Sequence, residues 1–238
     1  MRIIICYVTI KVLRPGLGSS PPGVFIKEGA LTFMKNIVYI DGQNFLYKAA
    51  EFLIEAGVIS DKQELVAIDI DYILHTILPD EKFEARYYGV KKINRRKEYS
   101  EEILQKSITF SENLRRTRNF LSKQGIEYVP VGSLKVRLRD ECKNCGFVDY
   151  KFQEKGVDVG LAVDLVKDSF NPNINKQIII SSDIDLIPAL VEIKKHKKET
   201  IYIAFAGKKI YSIARETGSY KTISKDLVIE AYTRAIKS

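Results

Sequence analysis

The chain predicts an α/β fold, a parallel sheet flanked by helices, and three observations lead there. Short, nearly all-apolar runs such as Ile37-Val38-Tyr39-Ile40 and Ile178-Ile179-Ile180 have the continuous character of strands buried on both faces. Amphipathic stretches of helical spacing separate these runs, the alternation of a βαβ chain. The 238 residues correspond to one domain with an appendage, at ~150 residues per domain.

The elements follow in order. Asn36 to Ile40 is a β-rich run ending at Asp41, and Asn44 to Ala56 reads as a helix stopped by Gly57. Asp69 to Leu78 has helical spacing and ends before Pro79. Phe83 to Val90 is a second strand. Ser100 to Gln124 is a long helix with Ile103, Phe110, Leu114 and Leu121 on one stripe and Gly125 as its stop. Ile126 to Val131 is a third strand. Leu134 to Arg139 alternates strictly and pairs with Phe147 to Gln153, a basic hairpin inserted at about residues 133–154. Gly156 to Phe170 is a helix, Gln177 to Ser181 a strand, Leu186 to His196 a helix and Thr200 to Ala204 a strand. Helices at Lys209 to Thr217 and Ser224 to Lys237 close the chain.

Residues 1–33 read differently. An apolar stretch, Ile3 to Ile10, runs into Arg14-Pro15-Gly16 and Gly18-Ser19-Ser20-Pro21-Pro22-Gly23, which continues neither a helix nor a central strand. The expectation is an N-terminal extension outside the core, or a start assigned upstream of Met34, with residues 34–238 forming the domain.

Composition excludes several classes. With 45% hydrophobic and 29% charged residues, the chain is neither disordered nor fibrous. Three cysteines are too few for a disulfide framework and point to a reducing, cytoplasmic setting. No apolar run approaches the ~18 residues that span a bilayer. A net charge of +8 points weakly to polyanions. Neither a G-x-x-x-x-G-K-[ST] loop, nor G-x-G-x-x-G after a strand, nor a G-x-S-x-G elbow occurs, which argues against triphosphatase, dinucleotide-binding and hydrolase-triad readings.

Parallel sheets bind ligands at the carboxyl ends of their strands, and that edge is predicted to be acidic. Asp41 closes the first strand, Asp183 and Asp185 follow the Ile178–Ile180 strand, and Asp158 stands in the first turn of the helix after Gly156. Gly42 leaves room beside Asp41 for another group. Helix capping alone accounts for any one of these residues. Jointly they suggest more, because clustered carboxylates repel unless protonated or neutralised by a cation. Four carboxylates suit a hard divalent ion such as Mg²⁺ or Mn²⁺, or two ions ~3.5–4 Å apart, the arrangement of in-line phosphodiester cleavage.

Three motifs occur in order: Ile40-Asp41-Gly42-Gln43-Asn44, then Lys155-Gly156-Val157-Asp158-Val159 with Ala162-Val163-Asp164, then Ser181-Ser182-Asp183-Ile184-Asp185-Leu186-Ile187-Pro188. From about Lys35 to the last helix the chain resembles the NYN domain family, PIN-like metal-dependent ribonucleases that include LabA-type proteins. The resemblance implies a PIN-like, Rossmannoid sheet. It also implies that Asp41, Asp158, Asp183 and Asp185 coordinate Mg²⁺ or Mn²⁺ for attack of water on an RNA phosphodiester. Asn44 assists, Ser181 matches the family's hydroxyl position, and Ser182 stands where the family usually has glycine. Asp164, six residues after Asp158, faces another side of its helix and is placed behind the ligands.

The expected partner is therefore RNA, and the expected activity that of an endonuclease. Lys135, Arg137 and Arg139 share one face of the hairpin strand; Lys91, Lys92, Arg95 and Arg96 follow the second strand; Lys155 adjoins the Asp158 loop. These are candidate backbone contacts, with a solvated edge strand as the plain alternative. Tyr87 and Tyr88 are candidate stacking residues, one of them consigned to the core by alternation. Cys142 and Cys145 form a C-x-x-C-G turn that resembles half a zinc ribbon. Zn²⁺ needs four ligands, which a second copy in a homodimer could complete; the alternative reading is a reduced thiol pair or a labile disulfide. The competing readings are a non-catalytic RNA-binding or regulatory module on the same fold, and a metal-dependent phosphatase for small phosphoesters.

Overall fold

The computed structural model describes residues 34–65, 67–93, 100–138, 150–207 and 211–237. The strands are β1 (Lys35–Asp41), β2 (Phe83–Ile93), β3 (Glu127–Leu138), β4 (Tyr150–Lys155), β5 (Ile174–Ile180), β6 (Glu199–Phe205) and β7 (Ser219–Ile223). The helices are α1 (Gly42–Glu55), α2 (Ile70–Ile77), α3 (Glu101–Lys123), α4 (Val157–Ser169), α5 (Ile187–Lys195), α6 (Tyr211–Thr217) and α7 (Lys225–Lys237). One sheet runs in the order β4-β3-β2-β1-β5-β6-β7. All neighbours are parallel except β3 and β4. The α/β expectation holds.

Both faces of the sheet are covered, which explains the apolar strands. In β1, Val38 and Ile40 pack with Phe45 and Leu53 of α1, Ile73 of α2 and Val228 of α7. Ile37 and Tyr39 point the other way, toward Leu161 and Leu165 of α4, Leu190 of α5 and Ile213 of α6. Period-two alternation thus supplies both cores from one strand. Burying each such side chain contributes roughly 1.5–3 kcal/mol.

Several boundaries depart from the sequence reading. Ile126 to Val131 and Leu134 to Arg139 are predicted as two strands, but β3 is continuous through Leu138. A left-handed Gly132 (φ +60) resets its alternation and hides the continuity. The hairpin strands are accordingly the far half of β3 and β4, which extend the main sheet at its edge. β2 runs on to Ile93, so Lys91 and Lys92 are strand residues, not loop residues. β7 was not expected; Ser219 to Thr222 are exposed and only Ile223 is buried, a pattern without an apolar face. The C-x-x-C turn with Cys142 and Cys145, together with Arg95, Arg96, Arg139 and residues 1–33, lies outside the described residues.

The strand order locates the crevice. The chain steps from β1 outward to β2 and β3, then returns past β1 to β5. The order reverses between β1 and β5, and ligands bind such sheets outside the carboxyl ends at that switch point. Asp41 ends β1, and Ser181 to Asp185 follow β5.

Candidate active site

Asp41 is 8% exposed, held at the mouth of the crevice by the buried run Ile37 to Ile40. It caps α1, its Oδ1 accepting from the Asn44 N–H at 3.1 Å. Its Oδ2 accepts from the Ser181 hydroxyl at 2.9 Å. Gly42 provides the room expected of it: a Cβ there would overlap the Tyr87 ring and lie 2.6 Å from the Tyr88 carbonyl.

The loop after β5 is tied to the same point. The Ser181 oxygen accepts from the Asp183 N–H (3.1 Å), and Asp183 Oδ1 accepts from the Asp185 N–H (2.9 Å). Asn44 Oδ1 accepts from both the N–H (3.1 Å) and the hydroxyl (3.0 Å) of Ser182. The serine in place of the family's glycine thus adds a bond that fastens this loop to α1. Ser181 is 3% exposed and spends its hydroxyl on Asp41 and Asp183. Both contacts hold Asp41 and the loop after β5 in place.

Asp158 stands exposed in the first turn of α4. It does not cap the helix; Gly156 (φ +80) occupies that position with no side-chain bond, so capping does not account for Asp158. Asp164 and Asp168 lie on another side of α4. Asp164 accepts from the Tyr88 hydroxyl (3.0 Å), and Asp168 accepts from Tyr39 (2.7 Å) and pairs with Arg86 (2.6 Å). Asp164 is a fastener of α4 to the sheet, which in turn fixes where Asp158 projects.

Electrostatics couple the cluster. Burial pushes the Asp41 carboxyl above its ordinary range; the bonds from Asn44 and Ser181 pull it down, and the charges of Asp183 and Asp158 push it up again. Asp158 and Asp185 line one concavity between α4 and α5. Among the described residues, no Lys or Arg pairs with any of these four carboxylates. Among the same residues, no three His, Cys, Asp or Glu side chains converge closely enough to hold a metal ion.

One carboxyl escaped the sequence reading. Glu154 of β4 is pushed up to about 7 by burial, with the Asp41 charge adding to the effect. The signal was present: Tyr150, Phe152 and Glu154 alternate on one face of β4, so the glutamate follows an aromatic stripe inward.

The cations are more dispersed. Lys135 and Arg137 are exposed on β3, and Arg137 faces Lys151 across the antiparallel pair. This third cation on the hairpin face was also missed. Lys91 and Lys92 are exposed on β2, and Lys155 is half-buried at the end of β4. Tyr87 and Tyr88 are 4% and 0% exposed; because helices cover both faces, both are core, and neither offers a free stacking surface.

Comparison with curated proteins finds no match. The NYN domain model matches residues 35–222, which takes in β1, the Asp158 and Asp183 motifs and all but the last residue of β7. NYN domains are PIN-like, a fold of nucleases that generally depend on divalent metal. The helix-flanked parallel sheet with aspartates at its switch point agrees with that match, and the chain belongs to the NYN domain family.

Proposed function

We propose that the chain is a metal-dependent ribonuclease, an endonuclease that hydrolyses RNA phosphodiesters at Asp41, Asp158, Asp183 and Asp185. The observation that carries this reading is the buried Asp41, which feels the charges of Asp158 and Asp183 with no cationic side chain as partner among the described residues. Such an arrangement costs stability unless a proton or cation neutralises it.

The donor set fits Mg²⁺ or Mn²⁺: every candidate is a carboxylate oxygen, the ligand type of hard divalent cations. Because no three of them converge in the described geometry, small side-chain rotations of the exposed Asp158 and Asp185 would be needed. The cation, when bound, supplies positive charge that activates water and offsets charge on the phosphodiester oxygens. The protein's own residues do the placing. Asn44 and Ser181 lock both oxygens of Asp41, Ser181 and the Asp185 N–H orient Asp183, and the Asp164 and Asp168 contacts hold α4 so that Asp158 faces the crevice. Lys135, Arg137 and Lys151 offer an RNA strand a row of cations. That row favours a long polyanion over a small phosphoester.

The test is cleavage of labelled structured and unstructured RNA with Mg²⁺, Mn²⁺ or EDTA, with and without a small phosphomonoester. Cleavage that needs metal and ignores the monoester supports the reading. RNA binding without turnover under every metal would favour the binding module instead, and hydrolysis of the monoester alone would favour the phosphatase.

A further inference from the structure

Helix α4 is apolar on two sides. Val157, Leu161 and Leu165 are buried against the sheet, while Val159 and Val163 stand 61% and 57% exposed. At 3.6 residues per turn, Val159, Val163, Val166 and Phe170 fall on one stripe along the outer side of the helix, and Phe170 is exposed as well. A helix that is apolar all round belongs under a covering layer, and a contiguous exposed apolar patch marks an interaction surface. None of the roles above uses this one.

The stripe forms one wall of a trough of about 730 Å³, and Pro188 and Ala189 of α5 form the other. The trough is apolar along its length and charged at its ends. Asp158 and Asp185 stand where α4 and α5 begin, and Lys167 stands in the last turn of α4. Among the described residues, none of these three side chains has an ion-pair partner.

We infer that a second copy of this chain covers this face, turned by a two-fold axis so that the two α4 helices run antiparallel. The charges select that occupant. One end of the trough is acidic and the other basic, so a copy rotated by half a turn lays its Lys167 end over the Asp158 and Asp185 end, and receives the same in return. An isologous interface is self-complementary in this way. The apolar length offers a phosphate chain nothing, which sets RNA aside. The midpoint between Asp158 and Lys167 falls at Ala162 and Val163, so small side chains occupy the crossing. They allow the helices to approach at the short end of the usual ~8–10 Å between axes.

The inference stands apart from the ribonuclease reading. The covered face runs along the side of α4, whereas the crevice opens beyond the carboxyl ends of the strands. It does bear on the aspartates, because each copy brings a cation toward the other's Asp158 and Asp185. Helix α4 has 13 residues and is about 20 Å long. A face of that length, two helices wide, lies at the small end of protein interfaces, so the dimer should dissociate on the order of 1–100 µM.

The test is sedimentation equilibrium of the full chain in EDTA across that concentration range, with circular dichroism to show that each variant is folded. The wild type should pass from monomer to dimer and go no further. Val163→Glu places a charge at the centre of the stripe and should leave a monomer throughout. Lys167→Glu sets like charges over the acidic end and should raise the dissociation constant about tenfold or more. Should Val163→Glu fail to fold, Lys167→Glu, at an exposed position, still decides. A wild type that stays monomeric, or one that assembles beyond a dimer, overturns the inference. So does a dimer that neither variant weakens, which would pair through another surface. A dimer lost in Val163→Glu but untouched by Lys167→Glu would overturn the antiparallel arrangement. Because the readout is mass, absence of RNA cleavage leaves the result standing, and a monomer that cleaves RNA removes the dimer alone.

Discussion

The Ser181 hydroxyl donates to Asp41 Oδ2 at 2.9 Å, joining the carboxyl ends of two neighbouring strands that lie 140 residues apart in sequence. That bond closes the crevice where the strand order reverses, and it holds an acidic side chain in a place where burial and like charge both oppose its ionisation.

Asp41 should therefore be a residue at which stability is given up for function. Its raised carboxyl makes ionisation unfavourable to folding, so the penalty is absent below the unfolded value and fully present above the folded one. Asp41→Asn keeps the capping oxygen and removes the charge. In EDTA it should be more stable than the wild type at pH 8 and no more stable at about pH 3, by denaturant unfolding. Its RNA cleavage should fall by more than the ~10–100-fold typical of losing a ligand's supporting partner.

Ser181→Ala tests the positioning role. It removes the donor to Asp41 and an acceptor for the Asp183 N–H, and should cost about 1–2 kcal/mol in chemical unfolding. Losing a donor to the carboxylate raises Asp41 further, so the acid limb of the cleavage profile should move to higher pH. An unchanged profile would show that Asp41 is held by other means.

Glu154 gives a second pH signature. Its carboxyl titrates from an ordinary 4.5 in the unfolded chain to about 7 in the fold. The folded protein thus holds the extra proton between these values, and stability falls as pH rises through that window. Glu154→Gln should match the wild type below about pH 4 and exceed it at pH 8 by on the order of 2 kcal/mol. Thermal or denaturant melts in EDTA across this range check it; parallel curves would place Glu154 in water.

The hairpin face should be read by salt. Replacing Lys135, Arg137 and Lys151 together by alanine should weaken RNA binding without respect to sequence. It should make the slope of log K against log salt shallower by about 2, at ~0.7 per phosphate for single strands. An unchanged slope would assign these cations to a solvated edge strand.

Much of the fold and site was legible because burial on both faces leaves an unmistakable mark. The apolar runs of β1 and β5 announced buried strands; β1 ends in Asp41 and Asp183 follows three residues after β5, and the topology brings both strand ends to one crevice. Where that mark is absent, the reading failed for identifiable reasons. Gly132 breaks the alternation of β3, so one strand read as two. β7 is an edge strand with four exposed residues and shows no apolar face. Glu154 shares a face of β4 with Tyr150 and Phe152, a signal the reading passed over, and its burial is completed by β4 pairing beside β3. Ser181 is legible as a neighbour of the aspartates, but its bond to Asp41 depends on its burial where two strands meet, which sequence does not show.

The central claim is that the four aspartates form one metal-dependent cleavage site, and the most direct measurement sets Asp183→Asn beside the wild type. Both proteins are given labelled single-stranded RNA with Mn²⁺, and binding is measured in parallel in EDTA. The account predicts metal-dependent cleavage by the wild type, lost in the variant while its RNA binding is retained. Equal cleavage by both proteins would contradict it.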